Sequence, residues 1–325
     1  AMKWRNWFSN RSDQSNSRTD HNGALPDASG PPTLENIKLL FQDIHDAHVH
    51  ELMADGQIVK LFYIRSLVDG NQLQSDIVFP VLHSTAGQTG WKVISDDVIQ
   101  VKTLSQAQEQ ILTGSVLLIY ENGLVYAVNK KNTLGRSIDT SEQEAIMYGP
   151  KDSLSEQLEN SLTLIRRRLP VPNLKSKKYS LGSLSKTTVI LLYMEGIVNP
   201  ELVRIADQKT KAIDFDAFFD SAHLSAFLED HVFSVFPQFQ QTDRPDVLAS
   251  ALSSGKLVWV VDNTPFALVA PVTFFDLFQT PEDYVHRWMV GSFLRGLRFV
   301  AFMIALVLTP IYVAVTVHHY QMIPL

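Results

Sequence analysis

Cysteine is missing from the 325-residue chain. That absence removes disulfides, thiolate zinc sites and cysteine nucleophiles together, and it fits a reducing compartment. Glycine signatures are missing as well. The chain has no Gly-x-Ser-x-Gly elbow and no Gly-x-Gly-x-x-Gly fingerprint, so neither a nucleophilic serine nor a dinucleotide turn has its usual backbone support. The nearest approach to a phosphate loop is GSLSKTT, Gly182 to Thr188. Such a loop needs glycine directly before the lysine so that backbone amides can wrap the phosphates, and Ser185 stands there instead. The opening AMKWRNWFSNRSDQ contains no apolar core of the kind translocation needs. A net charge of −6 argues against nucleic acid as a partner. The expectation is a protein that is not an enzyme and needs no cofactor.

Charge itself is missing from one long stretch. Phe299 to Val317 carries no charged side chain, and as a helix it would cover about 28 Å, close to the hydrocarbon thickness of a bilayer. Phe293, Leu294 and Leu297 extend the apolar character toward the N-terminus, and Pro310 inside the run is tolerable in a membrane helix. Arg287, Arg295 and Arg298 precede the run, whereas only His318 and His319 follow it. Basic residues stay on the cytoplasmic side, so the large N-terminal part is expected to be cytoplasmic. The chain stops soon after this span, which reads as the first helix of a larger, truncated membrane domain. At the other end, residues 1–33 are rich in Ser, Asn, Asp, Gly and Pro. They lack the apolar surface to offset their ordering entropy and are expected to form a disordered tail.

The chain also resembles itself. IVKLFYIRSLVDGNQL (Ile58 to Leu73) aligns with TVILLYMEGIVNPELV (Thr188 to Val203), with Val59/Val189, Leu61/Leu191, Tyr63/Tyr193 and Val68/Val198 identical at one offset. LTGSVLLIYENGLVYAV (Leu112 to Val128) then aligns with LSSGKLVWVVDNTPFALV (Leu252 to Val269) in the same order. Two matches in register order imply a duplicated unit. Leu34, Ile37, Leu40, Phe41 and Ile44 have helical spacing, Val59 to Ile64 is a β-type run, and Gln106 to Leu112 reads as a helix leading into the strand Ser115 to Tyr120. Asn-Gly in YENGLVY signals a hairpin. In the second half, Leu154, Leu158, Leu162 and Ile165 mark a helix stopped by Pro170, with acids early and arginines late as the helix dipole prefers. Strands are expected at Thr188 to Met194 and Leu257 to Val261, with helices after Asn199-Pro200 and from Pro245 to Leu252. The fold class is therefore α/β: two related subdomains, 34–145 and 146–290, with mixed sheets and flanking helices. A transmembrane helix within 291–325 follows.

Charged clusters supply the candidate sites. DAHVHE (Asp46 to Glu51) resembles the His-x-His pair of metal-dependent hydrolases, with His45, His48 and His50 as possible ligands. Its helical lead-in and the lack of an eight-fold strand–helix repeat favour polar histidines around a turn. Between Asn160 and Met194 there is no acid, yet Arg166, Arg167, Arg168, Lys175, Lys177, Lys178 and Lys186 are present. From Asp207 to Asp246 acids dominate, among them Asp214, Asp216, Asp220 and Asp246, against Lys209, Lys211 and Arg244. The two faces could satisfy one another within the subdomain, or meet between neighbouring subunits of a ring.

The longest stretches, EAIMYGPKDSLSEQLENSLTLIRRRL, FPQFQQTDRPDVLASALSSGKLVWVVDNTPFALVAPVTFFDLFQTPEDY and SFLRGLRFVAFMIALVLTPIYVAVTVHHYQMIP, resemble the A subunits of GerA-type spore germination receptors. The likeness covers about Glu142 to the end. It implies a subunit of a nutrient receptor in the spore inner membrane, acting with B and C subunits, self-associating and contributing to ion release, with its N-terminal domain on the spore-core side. Family-like positions include Gly149, Pro150 and Asp152, the Arg166 to Arg168 run, and the FPQ, RPD, PVTFF and PEDY motifs. The stretch with Pro271, Phe274, Phe275, Pro281, Asp283, Tyr284, Arg287, Arg295 and Arg298 would couple the second subdomain to the membrane helix. Asp283 and Arg287 have i,i+4 spacing for an ion pair. A second possibility is that the cleft between the subdomains binds a small nutrient molecule directly. A membrane-anchored metal hydrolase built on the histidines is a remote third.

Overall fold

The computed structural model describes residues 29–54, 57–82, 97–134, 150–218, 220–230, 233–234, 236–280, 283 and 287–318. Expectations for residues 1–28, the Thr140 to Gly149 boundary, Pro281 and Tyr284 lie outside these. In the first half the elements are α1 (Leu34–Leu40), β1 (Ala47–Ala54), β2 (Gln57–Ile64), α2 (Gly70–Leu73), α3 (Phe79–Leu82), β3 (Val98–Val101), α4 (Leu104–Leu112), β4 (Ser115–Tyr120) and β5 (Val125–Asn129). The second half has α5 (Leu158–Arg168), β6 (Leu174–Leu181), β7 (Thr187–Met194), α6 (Pro200–Lys211), α7 (Ser221–Leu228), β8 (Gln240–Thr242), α8 (Pro245–Ser253), β9 (Leu257–Val261) and β10 (Ala267–Ala270).

Two five-stranded sheets result, ordered β1-β2-β4-β5-β3 and β6-β7-β9-β10-β8. The orders are the same once each strand is matched to its counterpart. β2 and β7 begin and end at the offset that pairs Val59 with Val189. α4 and α8 each close on a glycine in the left-handed region, Gly114 (φ 98°) and Gly255 (φ 79°), where a side chain would be strained. The strand pairings within both sheets are antiparallel, not mixed as expected.

Helices cover both faces of each sheet. Phe62, Ile64, Leu117 and Ile119 pack under α1 and α4, while Val59, Leu61, Val116 and Leu118 face Leu73 and Ile77 on the other side. In the second half Leu191, Tyr193 and Trp259 face α6 and α7, and Ile190, Leu192, Val258 and Val260 face α5 and α8. A strand covered on both faces has no reason to alternate polar and apolar residues, which accounts for the continuous VILLYM and LVWVV runs.

Several local expectations shift. α1 stops at Leu40, and Asp43 turns left-handed (φ 59°), so Ile44 leaves the helix. Residues 30–33, expected in the tail, are docked: the Leu104 amide donates to Gly30 O at 2.9 Å, and Thr33 caps α1. His48 and His50 lie neither on a helix nor in a turn but in the edge strand β1, where both rings stack near Tyr63.

The two halves meet at a buried polar joint. Arg166, near the end of α5, is 2% exposed and reaches the equally enclosed Asp46. Its Nη2 donates to Asp46 Oδ1 at 2.6 Å and its Nε to Oδ2 at 3.2 Å, while Ser66 Oγ adds a 2.6 Å bond to Oδ2. Ser176 is drawn in from β6: its Oγ accepts from the His45 amide at 3.0 Å and its own amide donates to Asp43 O at 2.9 Å. Lys175 Nζ donates to Gln42 O at 2.8 Å, Arg167 donates to Asn132 O, and Thr163 donates to Ser66 O.

Burial pushes the Asp46 carboxyl up, but Arg166, His45 and Ser66 outweigh it and hold it below the usual carboxylate range. Burial lowers the pKa of His45 despite neighbouring Asp46. Both groups bind protons less readily folded than unfolded, so both make stability fall on acidification. The contribution of Asp46 is complete above the unfolded carboxylate range and disappears as pH falls through its depressed folded value. That of His45 is complete above the ordinary imidazole range and is lost as pH falls from that range through its depressed folded value. Asp46→Ala, which strands a buried guanidinium, is expected to cost about 3–5 kcal/mol. Asp46→Leu with Arg166→Met should cost much less. Urea unfolding of the three proteins at neutral pH measures the cost. Mildly acidic pH should weaken wild type and Asp46→Ala through His45, and the two should converge only once the pH falls below the ordinary carboxylate range.

Candidate functional site: the junction with the membrane helix

The last described element is a single helix, Trp288–His318, which runs through Pro310 without interruption. Residues Trp288–Val317 are long and apolar enough to cross a membrane, and none of the most apolar part is buried against the rest of the chain. Such a surface is costly in water and suited to lipid.

The segment between β10 and this helix forms a collar. It begins with a 3₁₀ turn, Phe274–Phe278, closed by a capping box in which Thr273 Oγ1 accepts from the Asp276 amide and Asp276 accepts from the Thr273 amide. Asp276 also receives Lys256 Nζ at 2.7 Å, fastening the turn to the α8–β9 corner of the second subdomain. Gly255 sits at that corner, where a Cβ would approach Ile197 O to 3.0 Å.

From the collar, three contacts reach the helix. Phe278 lies 5.7 Å from Phe299 and 5.3 Å from Phe302 between ring centroids, and Phe274 lies 6.0 Å from Phe302. Arg298 Nη2 and Nη1 donate to the two Asp283 carboxylate oxygens at 2.7 and 2.9 Å, and also to Thr280 Oγ1 at 3.0 Å and Phe278 O at 2.8 Å. Arg295 Nε approaches the same carboxylate at 3.6 Å. Hydrogen bonds from Arg298 hold the Asp283 carboxyl below the usual carboxylate range against the opposing effect of burial. Finally, Gly291 lies so close to the collar that a Cβ there would come within 2.5 Å of Asp283 O.

Of the coupling residues expected from sequence, Phe274, Asp283, Arg295 and Arg298 come together here. Phe275 adjoins them, 6.5 Å from Phe299. Pro271 follows β10 at the start of the segment. The expected Asp283–Arg287 pair is not formed; Asp283 turns to Arg298 and Arg295, and Arg287 is exposed. Phe278, Thr280, Phe302 and Gly291 were missed. The signal lies in a stripe: Gly291, Arg295, Arg298 and Phe302 recur at helical spacing on one face.

The charged residues expected at a subunit interface are largely engaged within the chain. Arg166, Lys175 and Arg244 are buried, so they cannot present charge to a neighbour. Arg168 pairs with Asp152 and Arg244 with Asp246, both at 2.6 Å, and Lys177 approaches Asp207 at 3.9 Å. Asp216 accepts from Ser183, and Asp220 caps α7. Lys178 and Asp214 are exposed. His45 turns to Ser176 (Nδ1···Oγ 2.8 Å), away from His48 and His50. Among the described residues no group of three or more potential ligands could hold a metal.

Comparison with known proteins places this architecture. A match to the Bacillus/Clostridium GerA spore germination protein family extends over residues 35–325. The chain is 33% identical over 316 residues to spore germination protein GerQA of Bacillus cereus, covering 93% of this chain and 61% of that protein. It is 30% identical over 307 residues to spore germination protein KA of Bacillus subtilis, covering 91% of this chain and 54% of that protein. The chain therefore spans less than two thirds of these relatives. In fold it resembles the crystal structure of the N-terminal domain of the A subunit of the Bacillus megaterium spore germinant receptor GerK3. That likeness has a TM-score of 0.57 at 24% identity and covers 76% of this chain and 97% of that one. Matched almost from end to end, the chain belongs to the GerA spore germination protein family.

Proposed function

We propose that this chain is the N-terminal double domain and first membrane helix of an A-type subunit of a spore germinant receptor, and that the collar passes movement of the second subdomain into the membrane. The observation that carries this reading is the Arg298–Asp283 clamp, supported by the backbone contact at Gly291. Together they join a globular domain to a membrane helix through bonded and close-packed groups. The family supports a role in germination; a place in the spore inner membrane, B and C partner subunits and ion release as the output are part of the proposal. Arg287, Arg295 and Arg298 ahead of the charge-free span support a cytoplasmic domain.

Nutrient recognition falls to a partner subunit in this reading. The joint between the subdomains is occupied by this chain's own Thr163, Arg166 and Lys175, which leaves little cause to place a ligand there. Self-association is part of the proposal, but the basic and acidic segments are mostly paired internally. Assembly should therefore depend on the membrane part and respond only weakly to salt.

Two measurements test this. In spores carrying the full-length subunit, Arg298→Ala removes charge-assisted bonds worth about 1.5–3 kcal/mol in total. It should slow nutrient-triggered germination by about tenfold or more at unchanged subunit level, and Asp283→Arg with Arg298→Asp should recover part of the response. Germination at the normal rate in Arg298→Ala spores would end the coupling model. Light scattering of the full-length subunit in detergent should give a multiple of the protomer mass at both low and high salt, and a monomer at both would remove self-association from the proposal.

A further inference from the structure

The collar has an outer side as well as the side that grips the helix. Phe275 is 66% exposed, Leu277 41%, and Phe236, whose ring meets Phe274 edge-on at 5.4 Å, 50%. The polar groups of the same turn point the other way, with Asp276 held by Lys256 and the Thr273 cap. An apolar outer surface on a turn whose charges all face inward is unusual for a domain surrounded by water.

Its height is set by the helix. Phe278 touches both Phe299 and Phe302, and Phe274 touches Phe302. Phe299 opens the charge-free run, and Phe302 lies about 4.5 Å further along it. The turn is thus level with the beginning of the membrane span. Irregular backbone at that level needs partners within the protein. Those partners are present: the capping box satisfies the start of the turn, and Arg298 donates to Phe278 O at 2.8 Å at its end.

We propose that Phe274–Phe278, together with Phe236, forms a second membrane contact, a shallow foot that seats the second subdomain in the headgroup–acyl boundary of the leaflet beside its own helix. The proposal rests on the reading of the charge-free run Phe299–Val317, within the long apolar helix, as the membrane span. Lipid is the occupant because the surface is continuous with that span and because the backbone of the turn is already satisfied. A neighbouring protein segment would need neither feature. Feet of this kind insert by roughly 5–10 Å, far less than a spanning helix.

These 325 residues contain no cysteine, so an introduced thiol is unique within this part of the subunit, and any cysteine elsewhere in the full-length protein is first replaced by serine. Phe275→Cys, Val307→Cys on the helix and Leu184→Cys, in a 79% exposed position on the β6–β7 turn, are each labelled with an environment-sensitive fluorophore. The full-length subunit is then placed in phosphatidylcholine nanodiscs containing lipids with a nitroxide near the headgroup or near the chain terminus. The label at 275 should be quenched about twofold or more by the shallow nitroxide and much less by the deep one. Position 307 should respond to the deep nitroxide and position 184 to neither. If 307 is quenched while 275 is not, the foot is overturned, whether water or another protein segment covers it. Loss of quenching at 307 as well would overturn the membrane span first and the foot with it.

Discussion

A buried guanidinium organises the globular part. Among the described residues each buried apolar cluster lies within one half of the chain, on one face of its own sheet. Arg166 supplies the connection: it leaves α5 of one subdomain, enters the other and meets Asp46, with Leu174 O and Ser176 Oγ at 3.4 Å completing its surroundings. Such a pair gains little net energy over an apolar substitute but is costly to break on one side only. Its main effect is geometric. A bidentate pair accepts one relative orientation of the two subdomains, where an apolar seam would accept several.

That orientation matters because the second subdomain carries the collar. Lys256–Asp276 ties the collar to the α8–β9 corner, and Arg298–Asp283 ties it to the helix. One ionic link on each side leaves little slack between the sheet and the bilayer. Among the described residues, the first subdomain is linked to the collar through the Arg166 joint and the second sheet, so in the proposed coupling a change starting there would reach the helix by rigid-body movement.

Elements buried on two faces were the most readable in sequence. β2, β7 and β9 announce themselves as unbroken apolar runs, and the β4–β5 hairpin as Asn122-Gly123, with Gly123 at φ 81°. Edge strands were not readable. β1 carries two histidines and β6 three lysines, because half of each such strand faces solvent or the polar joint, and the residues suited to those surroundings look like turn or surface. The ion pairs were hidden for another reason. Arg166 and Asp46 are 120 positions apart, and no local pattern records a partner at that distance. Gly291 was lost in an apolar run, since only the neighbouring backbone shows why a side chain is excluded there. The duplication was legible because equivalent strands kept identical residues at one offset, while the contacts peculiar to each copy left no echo in the other.

Gly291 and Arg298 stand seven positions apart, two helical turns, on one face of the membrane helix. A single point of attachment would fix where the helix enters the bilayer and leave it free to swivel. Two points about 10 Å apart along the axis also dictate which way it leans and which residues it turns toward its neighbours. The tilt and rotation of the helix are therefore inherited from the sheet behind it, so the arrangement of lipid-facing and protein-facing side chains at the bilayer centre is decided outside the bilayer.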